Sequence, residues 1–331
     1  MPNRQKPEVI KAAIVGARGY VGVELIGLLD QHPLVELVGV YSRAHAGQTV
    51  QSQLPDFSDP DLTYAVCDFD QLPNMDLDVL FLALPDGLAK QHHAMWQTMA
   101  AETVMIDLSA DHRFDDQWTY GQPETKNEQL AQARLIANPG CYATGMQLGL
   151  LPLLPYLDDQ HDVPTAFGVS GYSGAGTNPS DKNNPDRLAD NILAYKPTGH
   201  THEKEVSHVL QHTIRFMPHV AAHFRGIHLT LSGQLNLTLT TEEIQKIYAQ
   251  FYQPHPLIQI QTAAAEIQQV SEQHQVVIGG FACSDSEPGH FVLTVALDNL
   301  LKGAATQAVQ NMNLACAAQF GTSLFDGIYH E

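Results

Sequence analysis

Cysteine is scarce in this chain. Four occur in 331 residues, at Cys67, Cys141, Cys283 and Cys316. No two share the C-x-x-C spacing of a zinc or dithiol redox motif, so no metal site is expected. The same scarcity leaves no disulfide framework and fits a reduced, cytoplasmic setting. Positive charge is also in deficit: 17 Lys and Arg face 36 Asp and Glu, a formal net charge of −19. Such a surface repels phosphate backbones and anionic lipid, which excludes nonspecific binding to nucleic acid or membranes. A small anion is still within reach, because helix N-termini and a few arginines make anion sites locally. No apolar run approaches the ~20 residues of a membrane span. Residues 1–11 are polar and lack the apolar stretch of a secretory signal. No internal repeat is present, and the length exceeds that of a single hydrophobic core, so two domains are expected.

The first part alternates strand and helix patterns. Lys11 to Val15 reads as an apolar strand, Gly16-Ala17-Arg18-Gly19-Tyr20-Val21-Gly22 as a glycine turn, and Val23 to Asp30 as a helix. Further strands are expected at Val35 to Tyr41, Val79 to Leu84 and Val104 to Leu108, with a helix from Leu88 to Ala100. This order predicts an α/β, Rossmann-type domain over residues 8–150, with a parallel sheet wrapped by helices. A glycine turn between the first strand and first helix is where backbone approaches a pyrophosphate. The second strand ends in Tyr41-Ser42-Arg43, without the carboxylate that would accept a ribose 2′-hydroxyl; Glu36 stands at the wrong end of the strand. Ser42 and Arg43 suit a 2′-phosphate, which points to NADP(H).

From about residue 151 to 302 the pattern changes. Ile227 to Thr240 alternates, with Leu229, Leu231, Leu235, Leu237 and Leu239 on one parity, and Val276 to Ile278 and Phe291 to Val295 read as strands. These predict an α+β second domain with an antiparallel-rich sheet, for substrate binding, catalysis and oligomerisation. Thr240-x-x-Glu243 is a capping box that opens a helix running to Tyr252. An Ala-rich helix from Gly303 to Phe320, within the stretch 303–331, is expected to return to the first domain.

Cys141 differs from the other three cysteines in context. It follows the strand-like Leu135-Ile136-Ala137 and the turn Pro139-Gly140, and precedes a helical pattern from Ala143 to Leu154. At a helix N-terminus, free amides and the macrodipole favour a thiolate, and the same amides can hold an oxyanion. The second reactive string is Gly199-His200-Thr201-His202-Glu203-Lys204-Glu205. An imidazole beside a thiolate supplies acid and base near neutral pH, and Glu205 is placed to orient it. Cysteine, histidine and a nicotinamide cofactor are together the parts needed to reduce a thioester.

Six strings in this order resemble those of the N-acetyl-gamma-glutamyl-phosphate reductase family. They are the glycine turn, Asp107-Leu108-Ser109-Ala110-Asp111-x-Arg113, Asn138-Pro139-Gly140-Cys141-Tyr142, Ser170-Gly171-Tyr172-Ser173-Gly174-Ala175-Gly176, His200-Thr201-His202 and Asp298-Asn299-Leu300-Leu301-Lys302-Gly303-Ala304-Ala305. The resemblance runs from about Lys11 to the C-terminal helix. It implies NADPH-dependent reduction of N-acetyl-glutamyl 5-phosphate to the 5-semialdehyde with release of phosphate, the third step of arginine biosynthesis. It also implies a homo-oligomer, dimer or tetramer.

Carried onto this chain, the resemblance implies a catalytic set of Cys141, His202, His200, Glu205 and Asn138, with His202 first and His200 second as acid/base. Cofactor contacts are implied at Gly16, Arg18, Gly19, Tyr20, Val21, Gly22, Ser42, Arg43, Leu84, Pro85, Ser173, Gly174, Ala175 and Asn299. Substrate contacts are implied at Ser109, Arg113, Tyr142, Ser170, Gly171 and Arg225, with a domain-closing ion pair as the other reading of both arginines. Three places depart from the family pattern. Thr177-Asn178-Pro179 stands where basic residues are common, with Lys182 nearby as a substitute; Lys204 stands at a usual proline, and so does Ala143. Two readings from other classes share these residues: a noncatalytic NADP-binding regulator, and a cysteine hydrolase or acyltransferase, which the glycine turn and Arg43 disfavour. Reductases of aspartyl or aminoadipyl phosphate are the alternatives within the class.

Overall fold

The structure, a computed structural model, describes residues 9–158 and 162–320. The chain forms two compact units, one running up to Pro139 and resuming at Ala304, the other Gly140–Gly303. The division falls ahead of the helix that begins at Cys141, about ten residues before the expected boundary at 150.

In the first unit the described elements are β1 (Ile10–Val15), α1 (Tyr20–Asp30), β2 (Val35–Tyr41), β3 (Val79–Leu82), α2 (His93–Met99), β4 (Val104–Asp107), β5 (Thr119–Tyr120), α3 (Pro123–Leu130) and β6 (Leu135–Ala137). They build a six-stranded sheet in the order β2-β1-β3-β4-β6-β5, parallel throughout. β3 and β4 are buried at every position, as apolar strands covered on both faces must be. The alternation of side chains splits their residues between two cores. Val79, Phe81 and Ile106 join Leu25 and Leu29 of α1, whereas Leu80, Leu82 and Met105 join Trp96 and Met99 of α2. The helix expected from Leu88 begins as a 3₁₀ turn, Ala89–His92, and becomes α-helical only at His93.

The second unit contains α4 (Cys141–Leu150), β7 (Thr165–Gly171), α5 (Pro185–Leu188), β8 (Ile192–Ala194), α6 (Thr201–Leu210), β9 (Arg215–Ala221), β10 (Ile227–Gln234), α7 (Thr241–Tyr252), β11 (Ile258–Ile260), β12 (Val276–Cys283) and β13 (His290–Leu297). Its seven-stranded sheet has the order β11-β12-β13-β10-β7-β9-β8. The sheet is mixed: β7 and β9 run parallel, as do β11 and β12, and the other pairs are antiparallel. A parallel β7–β9 pair needs a long crossover, and the chain between them supplies one that contains α6. The alternation from Ile227 ends as a strand at Gln234. Beyond it Leu235 makes only a single bridge, to Leu157, and Leu237 is exposed.

One face of this sheet carries Leu229, Leu231, Leu293 and Val295, which pack with Met146 of α4 and with Ile244 and Tyr248 of α7. The capping box of α7 is present, with Thr240 Oγ1 accepting from Glu243 N and Glu243 Oε2 from Thr240 N. α4 starts at Cys141, two residues before the expected start. It gives way to a 3₁₀ segment, Leu151–Tyr156, where Pro152 and Pro155 lack the amides an α-helix uses. The chain then re-enters the first unit as α8 (Thr306–Phe320), whose Val309 and Met312 complete that unit's core. The remainder of the expected stretch to 331, and its start at residue 8, lie outside the described residues.

α4 lies close on the sheet because two of its residues are glycine. A Cβ on Gly149 would fall 2.1 Å from Leu231 Cδ1 and 2.9 Å from Val295 Cγ2. Gly149→Ala is therefore expected to destabilise the protein by about 1–3 kcal/mol, the usual range for overpacking. A lowered urea midpoint checks this; an unchanged midpoint would contradict the close seating of α4.

Candidate active site

In the first unit the carboxyl ends of β1, β2 and β3 meet at the glycine turn. Gly16 N and Ala17 N both donate to Tyr41 O. Gly16 has φ +95°, and a Cβ there would fall 2.2 Å from Ala83 O and 3.2 Å from Leu84 N, so only glycine fits. Gly19 caps α1, and a Cβ there would meet nothing within 4 Å. Open space at the first amides of a helix with no acidic residue in its first turn fits a pyrophosphate. Leu84 and Pro85 follow β3 at the same edge. Ser42 is buried, and its Oγ accepts from His45 N, while Arg43 is exposed. Glu36 pairs with Lys11 at the opposite end of the strands.

The string after β4 folds on its own first residue. Asp107 accepts from Ser109 N and Ser109 Oγ, both at 2.9 Å, and lies 2.7 Å from His112 Nδ1. Arg113 is nearly buried; its Nε donates to Asn138 O at 3.0 Å and its second guanidinium nitrogen to Leu108 O at 3.1 Å. The side chain of Asn138 is spent on structure: Nδ2 donates to Ala304 O, and Oδ1 accepts from Asn311 Nδ2. Asn138 thus ties the backbone just ahead of Cys141 to Ala304 and Asn311.

In the second unit Cys141 is the first residue of α4 and is partly exposed, with Gly140 as N-cap. Glu205, fully buried on α6, accepts the Gly140 N–H at 2.9 Å. This bond ties Glu205 to the turn that carries the thiol, a contact the sequence reading did not anticipate. The next residue, Tyr142, fills space left by Gly168, whose added Cβ would fall 2.5 Å from the ring, and its hydroxyl donates to His219 O at 2.8 Å.

Tyr195 is a site residue that the sequence reading missed. It lies near Tyr142, Ser170 and Cys141, with its ring 5.7 Å from that of His200. Burial, then the neighbouring Cys141 charge, pushes the Tyr195 phenol well above its ordinary range. Tyr142 is pushed up in the same way by burial, Tyr195 and Cys141, so both phenols stay neutral donors. The only signal in the sequence was an aromatic residue five positions before His200.

His202 and His200 open α6. Their rings are 4.9 Å apart, and the His202 ring lies 6.1 Å from that of Tyr142. His200 caps the helix, its Nδ1 accepting from His202 N at 3.1 Å. Burial, with Lys196 and Lys182 nearby, lowers the pKa of His200 to about 4. Lys204 N donates to His200 O, a helix bond that a proline there would forgo. Lys182 lies over the Tyr195 ring at 4.9 Å.

The loop Ser170–Gly176 is braced from below. Gly171 N, Tyr172 N and Ser173 N donate to Gly226 O, His223 O and Phe224 O. Asn299 accepts from Gly226 N at 2.7 Å and donates to Ser173 Oγ at 2.9 Å. Arg225, expected at the substrate, has its Nε 2.5 Å from Asp298 Oδ2. This is an ion pair inside the second unit rather than one that closes the two domains.

Burial holds the Cys67 and Cys316 thiols at about 11 and about 12, protonated at neutral pH. Among the described residues no group of three or more His, Cys, Asp or Glu is arranged for a metal ion. No described helix is long and apolar enough to cross a membrane.

Comparison with known proteins agrees with this division of labour. Residues 11–133 match the family described as semialdehyde dehydrogenase, NAD binding domain, and residues 141–299 match the semialdehyde dehydrogenase dimerisation domain. The chain is 49% identical over 304 residues to the N-acetyl-gamma-glutamyl-phosphate reductase of Xanthomonas campestris pv. campestris (strain B100), covering 91% of this chain and 94% of that one. It is 43% identical to the mitochondrial bifunctional protein argC of Dictyostelium discoideum, covering 94% of this chain but only 36% of that protein. The fold resembles that of aspartate semialdehyde dehydrogenase II from Vibrio cholerae, crystallised with ASA, at a TM-score of 0.75 and 18% identity, covering 92% of this chain and 98% of that one. The chain belongs to the N-acetyl-gamma-glutamyl-phosphate reductases, a family of oxidoreductases built from semialdehyde dehydrogenase domains.

Proposed function

We propose that this chain reduces N-acetyl-glutamyl 5-phosphate to the 5-semialdehyde with NADPH, through a thioester on Cys141, in the cytoplasm and as part of arginine biosynthesis. The observation that carries the reading is Cys141 at the start of α4, on a turn pinned by Glu205 and next to the buried Tyr142. The family supports the substrate, since the Xanthomonas relative bears that reaction in its name.

The Cys141 thiolate attacks the acyl carbon, the carbonyl oxygen becomes an oxyanion facing the first amides of α4, and phosphate leaves as the thioester forms. The Gly16–Gly22 turn would hold NADPH, with Ser42 and Arg43 toward its 2′-phosphate, and the bound cofactor would supply the hydride for the thioester carbon. His202 donates the proton that the resulting alkoxide takes up. It recovers that proton as the thiohemiacetal collapses to aldehyde and Cys141 thiolate. His200, neutral at pH 7, caps α6 and positions substrate. Arg113 and Ser109 hold the substrate's anionic groups. The dimerisation-domain match supports a homo-oligomer. The exposed Phe167, Met217 and Ile192, on neighbouring strands of the second sheet, are the surface a second copy would cover.

The reverse reaction is the direct test. NADP should be reduced with phosphate and N-acetylglutamate semialdehyde and not with aspartate semialdehyde, and Cys141→Ser should abolish this while NADPH still binds. Preference for aspartate semialdehyde would reassign the substrate, and turnover by the Cys141→Ser variant would remove the thioester.

The histidines separate by pH. An imidazole NMR titration should place the His200 midpoint near 4, with a separate limb of the kcat profile belonging to His202. His202→Asn should lower kcat by ~10²–10⁴ and erase that limb. The unfolded chain binds a proton at residue 200 between its ordinary pKa of about 6.5 and 4, where the folded protein does not. The His200 contribution to stability is therefore intact above pH 6.5 and declines as pH falls through that window. Loss of the limb in His200→Asn instead would exchange the two roles.

A further inference from the structure

Asp298 lies at the end of β13 with no solvent exposure, and its carboxylate is fully used. Oδ1 accepts from Leu300 N at 2.8 Å and Leu301 N at 3.2 Å; Oδ2 accepts from Arg225 Nε at 2.5 Å and Glu272 N at 2.8 Å. Four donors on one buried carboxylate fix three chain segments to a single point. The Asp298 backbone carbonyl accepts from Gly303 N at 2.9 Å, within the π-helical turn Leu301–Ala305. Gly303 in turn backs the nucleophile: a Cβ there would fall 2.8 Å from Cys141 Cβ and 3.3 Å from its Cα. The adjoining Asn299 ties Gly226 N and Ser173 Oγ, and so the Ser170–Gly176 loop.

We infer that Asp298 is a positioning residue for Cys141, acting through the turn that ends in Gly303. A buried ion pair is poor evidence for stability, because desolvation offsets most of its attraction; what it supplies is one geometry among several. Glu272 points the same way. It holds φ +62°, a conformation costly for a residue with a side chain, and in that conformation its N–H reaches Asp298. π-helical turns are uncommon and recur at functional sites, and this one begins at an amide that Asp298 holds. The carboxylate therefore sets both the wall behind the thiol and, through Asn299, the loop that carries Ser170 and Ser173.

The inference rests on Cys141 as nucleophile, and its test separates the two. In the full-length protein, Asp298→Asn places an amide where Arg225 and three backbone amides need an acceptor. We expect kcat to fall ~10–100-fold, the scale of a 1 Å misplacement, with the pH midpoint of Cys141 alkylation by iodoacetamide shifted. A purely structural residue would lower the unfolding temperature and leave that midpoint where it was. Gly303→Ala should shift the same midpoint by pressing on Cys141 directly. If Asp298→Asn does not fold, Arg225→Lys, which keeps the charge and loses the Nε donor, carries the same two readouts. Wild-type kcat and alkylation profile in the Asp298 or Arg225 variant would overturn the inference even if Gly303→Ala is impaired. If Cys141→Ser retains turnover, it is the thioester reading that fails.

Discussion

The bond from Gly140 N–H to the buried carboxylate of Glu205 is the constraint on which the reactive centre depends. It holds Gly140 extended, at φ −73° and ψ 150°, so that the helix begins with the next residue and that residue is Cys141. The amides of the first turn lack intrahelical acceptors, and a residue at that position is set where a thiolate and an oxyanion are favoured. Glu205 and His202 lie one turn apart on α6. The interaction that fixes the turn before Cys141 therefore also fixes the helix that carries His202, the proposed acid/base.

Close packing does the rest. Gly145 and Gly149 let α4 settle onto β10 and β13, and Gly168 of β7 makes room for the Tyr142 ring. With that ring in place its hydroxyl reaches His219 O on β9. Each contact joins a catalytic neighbour to the sheet, so the geometry around Cys141 is carried by buried backbone rather than by loops. In the first unit the same economy appears at Gly16, where absence of a side chain lets β1, β2 and β3 end at one point.

Much of this was legible in the sequence where the signal is local. The β1–turn–α1 unit, the carboxylate-free end of β2, the Thr240–Glu243 cap and the isolated Cys141 are each set by a few adjacent residues. β7 and β9 were not read: Gly168 weakens the first and Pro218 interrupts the second, and their parallel pairing depends on a crossover rather than on composition. The partners of Glu205, Arg225 and Asn138 were not readable either. Gly140 is 65 residues from Glu205 and Asp298 is 73 from Arg225, so spacing carries no trace of those contacts. A histidine three residues before Glu205 suggested an imidazole partner, and the bond from the distant Gly140 amide left no mark in that spacing.

The central claim is that Cys141 carries the acyl group during turnover. Mixing the enzyme with N-acetyl-glutamyl 5-phosphate in the absence of NADPH, quenching in acid and mapping peptides by mass spectrometry observes that species directly. The account predicts a hydroxylamine-labile N-acetylglutamyl adduct on the peptide containing Cys141, formed with stoichiometric release of phosphate. Phosphate release without any adduct, or an adduct on Cys67, Cys283 or Cys316, would contradict it.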